Sequence, residues 1–210
     1  MENTNNKIKI GNELSRKAIH FSYSLTGFIY LLYGRELITI LLSVAVVFMV
    51  ALDIGRAYSE NIQRFYHFVF RKILREHEVD NRKSLFTGGT YLVISTFFVV
   101  LIFPMPIAVA SIFIATYADS AAAIIGRLVG RIKIFNKTLE GSIAFFVTGV
   151  IIILLTPKVS IDSFEYQIAI FSLIICSVIE VLPIKIDDNL TLPLSFSVIY
   201  FVLLRIFNLY

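Results

Sequence analysis

The stretch PIAVASIFIATYADSAAAIIG, residues 106–126, is twenty-one residues long and carries a single charge, Asp119. As a helix rising 1.5 Å per residue it covers about 30 Å, the thickness of a bilayer's hydrocarbon core. Its neighbours have the same character. A window of about 19 residues finds further apolar runs near 18–33, 37–52, 85–103, 141–155, 164–182 and 192–207. Seven such runs predict an all-α, polytopic membrane protein, because lipid leaves a spanning backbone few other ways to satisfy its N–H and C=O groups.

Composition supports this reading. The chain is 57% hydrophobic, with a mean hydropathy of +0.81 and only 16% charged residues, against about 25% in an average soluble domain. A soluble fold of 210 residues this apolar has too little polar surface to cover itself. The net charge of +4 therefore suits anionic head groups or a phosphorylated substrate better than nucleic acid. The lone Cys176 excludes a disulfide framework or a CxxC metal site. No cleavable signal peptide is read at the N-terminus.

The charges predict an orientation. With seven spans, sixteen Lys and Arg residues fall on one side: four in the tail 1–17, seven in 53–84, four in 127–140, and Lys185. Arg35, Lys158 and Arg205 are the three on the other. By the positive-inside rule the N-terminus is cytoplasmic and the C-terminus outside, in a cell's inner or plasma membrane. The whole chain forms one membrane domain. Residues 62–75, with Ile62, Phe65, Phe68, Val69 and Ile73 set against Arg64, Arg71, Lys72 and Arg75, predict an amphipathic helix in the cytoplasmic interface.

Ionisable groups inside spans are costly and commonly functional. Asp53, Asp119, Glu140 and Glu180 all fall toward the cytoplasmic face in this topology. Asp119, Ala122, Gly126 and Gly130 share a helix face at spacings of 3, 4 and 4. Packing of small residues explains the glycines but not the acid. Arg127, Arg131, Lys133 and Lys137 follow, then Glu140-Gly141-Ser142. A basic loop between two carboxylates suits a Mg²⁺-polyphosphate, since carboxylates hold Mg²⁺ and cations neutralise phosphate oxygens. Spans 1, 3, 5 and 7 begin at this face and aim their positive dipole ends at it. Thr87-Gly88-Gly89-Thr90 opens span 3. Thr87 and Ser142 equally suit helix caps. Asp187-Asp188-Asn189 reads as a capping turn or a further metal ligand. His20, in Arg16-Lys17-x-x-His20, is a candidate participant or a structural hydrogen-bonder. No Walker loop, GxGxxG, HExxH or GxSxG is present.

The pattern DxxAxxxGxxxGx₆KxxEG, here Asp119, Ala122, Gly126, Gly130, Lys137, Glu140 and Gly141, resembles the core motif of the CTP-dependent lipid-alcohol kinases: dolichol kinase, phytol kinase and the CTP-dependent diacylglycerol kinase. Arg16-Lys17-x-x-His20 looks like that family's opening motif. Glu180 with Asp187-Asp188-Asn189-Leu190-Thr191-Leu192-Pro193 looks like its late block. The resemblance implies transfer of the γ-phosphate of CTP, with Mg²⁺, to the hydroxyl of a polyprenol, dolichol, phytol, geranylgeraniol or diacylglycerol. It makes Asp119, Glu140, Glu180 and His20 candidate catalytic groups. Arg16, Lys17, Gly126, Arg127, Gly130, Arg131, Lys137, Gly141, Ser142 and Asn189 become candidates for the nucleotide and its phosphates. Asp119, Glu140, Asp187 and Asp188 are the candidates for Mg²⁺. The core motif is also similar to that of phosphatidate cytidylyltransferases, whose longer C-terminal signature is missing here. A non-enzymatic transporter is a third reading, but one would show charges on both sides or at the midplane.

Overall fold

The computed structural model describes residues 20–70 and 85–210. Arg16, Lys17 and the 71–84 part of the basic loop lie outside them. The described chain is an all-helical bundle of apolar segments. Helix covers His20–Tyr58 almost without interruption, but Gly34, at φ 81 and ψ −175, breaks it into α1 (20–33) and α2 (35–58). Were it straight, this stretch would reach about 60 Å. Instead both its ends meet the same place. His20 bonds Asn189, whose side chain bonds Gly88 O, while Asp53 accepts from Thr87 N. The chain therefore reverses at Gly34, and α1 and α2 are the first two expected spans joined by almost no loop.

The remaining elements are α3 (Glu60–Phe70), α4 (Gly88–Ile102), α5 (Met105–Leu128), α6 (Leu139–Leu155), α7 (Phe164–Val181) and α8 (Asp188–Ile206). Helix α5 is the central one. Ile107, Ala108, Val109, Ala110, Ile112, Ile114 and Ala115 are all buried, and a helix apolar all round belongs inside a bundle. The outer helices turn side chains such as Leu32, Val47, Leu155 and Val198 outward, as lipid contact requires. Among the described residues, four helical stretches are long and apolar enough to cross a membrane by length and composition, His20–Tyr58 counted as one, and α4 and α6 are shorter apolar helices beside them. The protein is an integral membrane protein.

The expected span boundaries shift by a few residues, each for a local reason. Helix α6 starts at Leu139, not 141, because Thr138 caps it by accepting from Gly141 N. Ser142 therefore sits in the first turn rather than at the cap. Helix α8 starts at Asp188, capped by Asp187, ahead of the 192 expected. Of the expected interfacial helix 62–75, α3 accounts for the part up to Phe70, and the rest lies outside the described residues. Phe65 and Phe68 are exposed on α3, while Tyr66 is buried beneath the Arg56 guanidinium, 5.0 Å from its ring centroid.

Polar groups within the helices are matched to specific backbone needs. Pro193 inside α8 has no N–H, so Asn189 O loses its helical partner; Ser95 Oγ from α4 donates to it at 2.7 Å. Ser111 Oγ of α5 donates to Pro193 O at 2.8 Å. Arg35, just past the reversal, donates to Val100 O, Leu101 O and Phe103 O, satisfying carbonyls that the end of α4 leaves open. At the same end of the bundle, buried Glu165 accepts from Val159 N, Ser160 N and Tyr200 OH and so folds the 156–163 turn.

Candidate active site

The site lies at the other end, where α1, α4, α6 and α8 begin. Asn189 ties three of these starts together. Its amide nitrogen donates to Gly88 O at 3.0 Å, and its Oδ1 lies 2.8 Å from His20 Nε2. Gly88 O can only accept, which fixes the amide orientation and makes His20 Nε2 the donor. Lys137, one residue ahead of the α6 cap, reaches across to the end of α7 and the start of α8. Its Nζ lies 2.6 Å from Glu180 Oε1 and 2.9 Å from Asp188 Oδ2.

Lys137 gets there by a hairpin within the basic loop. Lys133–Ile134 and Lys137–Thr138 pair antiparallel, with Phe135 at φ 52 in the connection. The hairpin is held to α6 by Glu140, whose carboxylate accepts from Arg131 N at 2.9 Å and Ile132 N at 3.3 Å. Burial would lower the Lys137 pKa, but the charges of Asp188 and Glu180 and their hydrogen bonds outweigh it and hold the ammonium above the ordinary lysine value. Glu180 is buried, and its second oxygen, Oε2, meets Ser142 Oγ at 3.5 Å.

Asp119 is half-buried and close enough to Glu180 for their charges to interact. It follows directly on a π-helical turn, Ile114–Ala118, in which Asp119 N reaches back five residues to Ile114 O. The extra residue turns everything beyond it by about 100°. The face bearing Asp119, Ala122 and Gly126 is thus out of phase with the buried face upstream.

The glycines of the motif make the close approach of α5 to α6. A Cβ on Gly141 would lie 2.9 Å from Ala122 O and 3.3 Å from Gly126 Cα, and one on Gly126 2.8 Å from Thr138 Oγ1. Helix α5 ends at Leu128, so Gly130 is past the helix rather than on its face; there a Cβ would lie 2.1 Å from Gly126 O. Packing accounts for all three. Arg127 and Arg131 extend their exposed side chains from this same corner.

The expected metal set is not gathered in one place. Among the described residues no three His, Cys, Asp or Glu side chains are grouped to hold a metal ion. Asp187 serves as a helix cap and Glu140 holds the hairpin. The carboxylates that do converge, Glu180 and Asp188, face one point now filled by an ammonium group. That donor set fits a cation: Mg²⁺ arriving with phosphates needs only one or two protein carboxylates.

Asp53, another of the intramembrane acids, has a structural role. It is buried and accepts from Thr87 N at 2.8 Å and Thr90 Oγ1 at 2.6 Å, with Arg56 3.6 Å away. This network pins the end of α2 to the start of α4. The signal for it was in the sequence as an Asp-x-x-Arg pair, three residues apart on one helix face, at the end of an apolar run.

Several curated proteins are similar to the chain. A CTP-dependent diacylglycerol kinase 1 from Schizosaccharomyces pombe is 31% identical over 66% of this chain and 64% of its own length. A probable chloroplastic phytol kinase from Triticum aestivum is 30% identical over 58% of this chain and 46% of its own. The chain belongs to the CTP-dependent lipid kinase family. An uncharacterised protein from Rickettsia prowazekii is 28% identical over 88% of this chain and 91% of its own length. The chain thus spans about two thirds or less of the named kinases. No family model and no solved structure matches it.

Proposed function

We propose that this protein transfers the γ-phosphate of CTP to the hydroxyl of a membrane lipid alcohol, an isoprenoid alcohol or diacylglycerol, at the cytoplasmic face. The observation that carries this reading is Lys137, held between Glu180 and Asp188 where four helices start. Phosphoryl transfer is chiefly positioning and charge neutralisation. Helix N-termini bring positive potential and free N–H groups to that end. Arg127 and Arg131, with Arg16 and Lys17 from the N-terminal segment, are proposed to bind phosphates together with Lys137. Gly126, Gly130, Gly141, Ser142 and Asn189 would shape the walls around them. Mg²⁺ would neutralise the triphosphate, held where Asp188 and Glu180 Oε1 converge, with Asp119, Glu140 and Asp187 as further candidates.

In the proposed step the lipid hydroxyl oxygen bonds to the γ-phosphorus. The bond from that phosphorus to the β–γ bridging oxygen breaks, and CDP leaves with its electrons. The hydroxyl proton passes to a carboxylate, for which Glu180 and Asp119 are the nearest candidates; His20 would position Asn189 or take part directly. The N-terminus is proposed to be cytoplasmic and the C-terminus outside.

The test is to incubate the purified protein with CTP labelled at the γ-phosphate or in the cytosine, together with a panel of lipid alcohols. γ-Label in the lipid is expected. Cytosine label in the lipid would make the protein a cytidylyltransferase, and no label in any lipid would favour a non-enzymatic role.

A further inference from the structure

A groove of about 510 Å³ runs between α6 and α7 beside the Lys137 cluster, within the size range of small-molecule sites. Phe146, Ile174, Val178 and Leu182 form its apolar walls, together with Phe135 from the hairpin. Ser177 also lines it, but its hydroxyl is spent on Leu173 O of its own helix. Ile174 and Val178 are about half exposed, so the groove opens sideways into lipid rather than inward. Ser142 is the wall residue that touches the site. Its hydroxyl donates to Thr138 O at 3.2 Å and also lies 3.5 Å from Glu180 Oε2, the oxygen that Lys137 leaves alone. An apolar groove open to the bilayer thus abuts, through Ser142, a carboxylate oxygen with one long contact.

We propose that this groove seats the hydrocarbon chain of the acceptor alcohol and delivers its hydroxyl to Glu180 Oε2. The inference rests on the kinase reading above and adds the route and the acceptor's place. With the tail along Phe146, Ile174 and Val178, the hydroxyl takes the position beside Ser142, and its proton passes to Glu180 as the oxygen bonds to the γ-phosphorus. Phe135, exposed and held in a left-handed conformation in the hairpin turn, borders the point where hydroxyl and nucleotide meet. Side-chain-bearing residues occupy that conformation at some cost, and such residues cluster at functional sites.

The experiment uses the whole protein in phosphatidylcholine nanodiscs with a long-chain alcohol carrying a diazirine at its tail. Crosslinks are expected on residues 139–146 and 174–182, reduced several-fold by excess unlabelled long-chain alcohol and not by the matching alkane. Competable crosslinks on another helix pair would overturn the proposal. So would labelling spread over all lipid-facing helices and indifferent to the competitor. In parallel, Val178→Trp should raise KM for the long-chain alcohol about tenfold or more while KM for CTP stays as it was. Val198→Trp, on the lipid face of α8, should change neither; a Val178→Trp enzyme with unchanged lipid KM refutes the groove. Crosslinking needs no turnover. If no alcohol is phosphorylated, the kinase reading fails while the groove is still tested.

Discussion

Lys137→Met removes the cation between two carboxylates. Breaking a fully buried ion pair from one side costs about 3–5 kcal/mol, because the remaining charge is left without compensation. Here Glu180 is 3% exposed, but the Lys137 side chain is 27% and that of Asp188 37% exposed. Only the Glu180 arm earns the buried figure, and water screens the other, so we expect a loss of about 2–3 kcal/mol. For a chain of this size that is about 5–10 °C in Tm. Glu180→Gln leaves Lys137 paired with Asp188 and should cost less, about 1–2 kcal/mol. The two are in contact, so the double variant should be only about as unstable as Lys137→Met alone, a coupling of about 1–2 kcal/mol. The assay is thermal unfolding in detergent for all four proteins, with CTP-dependent lipid phosphorylation measured well below each Tm. Losses that add to within about 0.5 kcal/mol would refute the ion-pair account. A folded Lys137→Met protein with near-normal turnover would remove Lys137 from phosphate binding.

Three further outcomes follow from other parts of the molecule. Because the Lys137 pKa is raised above 10.5, its contribution to stability is complete below the unfolded lysine value and is lost as pH climbs through the higher folded one; Tm followed from pH 9 to 12 should show this alkaline loss in the wild type and not in Lys137→Met. Gly34→Ala should cost about 1–3 kcal/mol from backbone conformation alone, since nothing lies within 4 Å of the added Cβ; an unchanged Tm would show that the reversal does not need glycine. Gly141→Ala should lower Tm by overpacking, about 1–3 kcal/mol, because its nearest neighbours include Ala122 O and Gly126 Cα; if activity falls while Tm holds, the glycine serves the substrate and not the helix contact.

The spans were legible because hydropathy over a 19-residue window reports how apolar a segment is, whether it faces lipid or, like α5, the bundle interior, and the polar end was legible from its acids and bases. What pairs with what was not. Nothing in the spacing of Lys137, Glu180 and Asp188 says that they meet, since that contact depends on how α6, α7 and α8 pack. The π turn before Asp119 was hidden for a related reason: it adds a backbone residue without a distinctive sequence, and so moves a face that period-3.6 reasoning keeps fixed. The hairpin at Lys133–Thr138 is too short to show strand alternation. Glu140, a leading metal candidate by sequence, accepts amides of the hairpin, and a carboxylate two residues into a helix gives no hint of that engagement. Gly126 and Gly141 could be read as packing or as phosphate-binding residues, and only the position of Thr138 shows what lies against them.

The reversal at Gly34 bears on how the chain enters the membrane. Helices α1 and α2 have between them no polar loop to be carried across, only the neighbourhood of Gly34, Arg35 and Glu36. They are therefore suited to insert together as one hairpin. With the N-terminus cytoplasmic, as proposed, Arg35 travels across with the tip, at about 2.5–3.5 kcal/mol for a charge at the bilayer centre on insertion scales. The carbonyls that receive its guanidinium, on Val100, Leu101 and Phe103, are some sixty-five residues further along the chain and are synthesised later. For that interval the arginine crosses without its final partners. The arrival of α4 then supplies the carbonyl partners that Arg35 lacks while α1 and α2 stand alone.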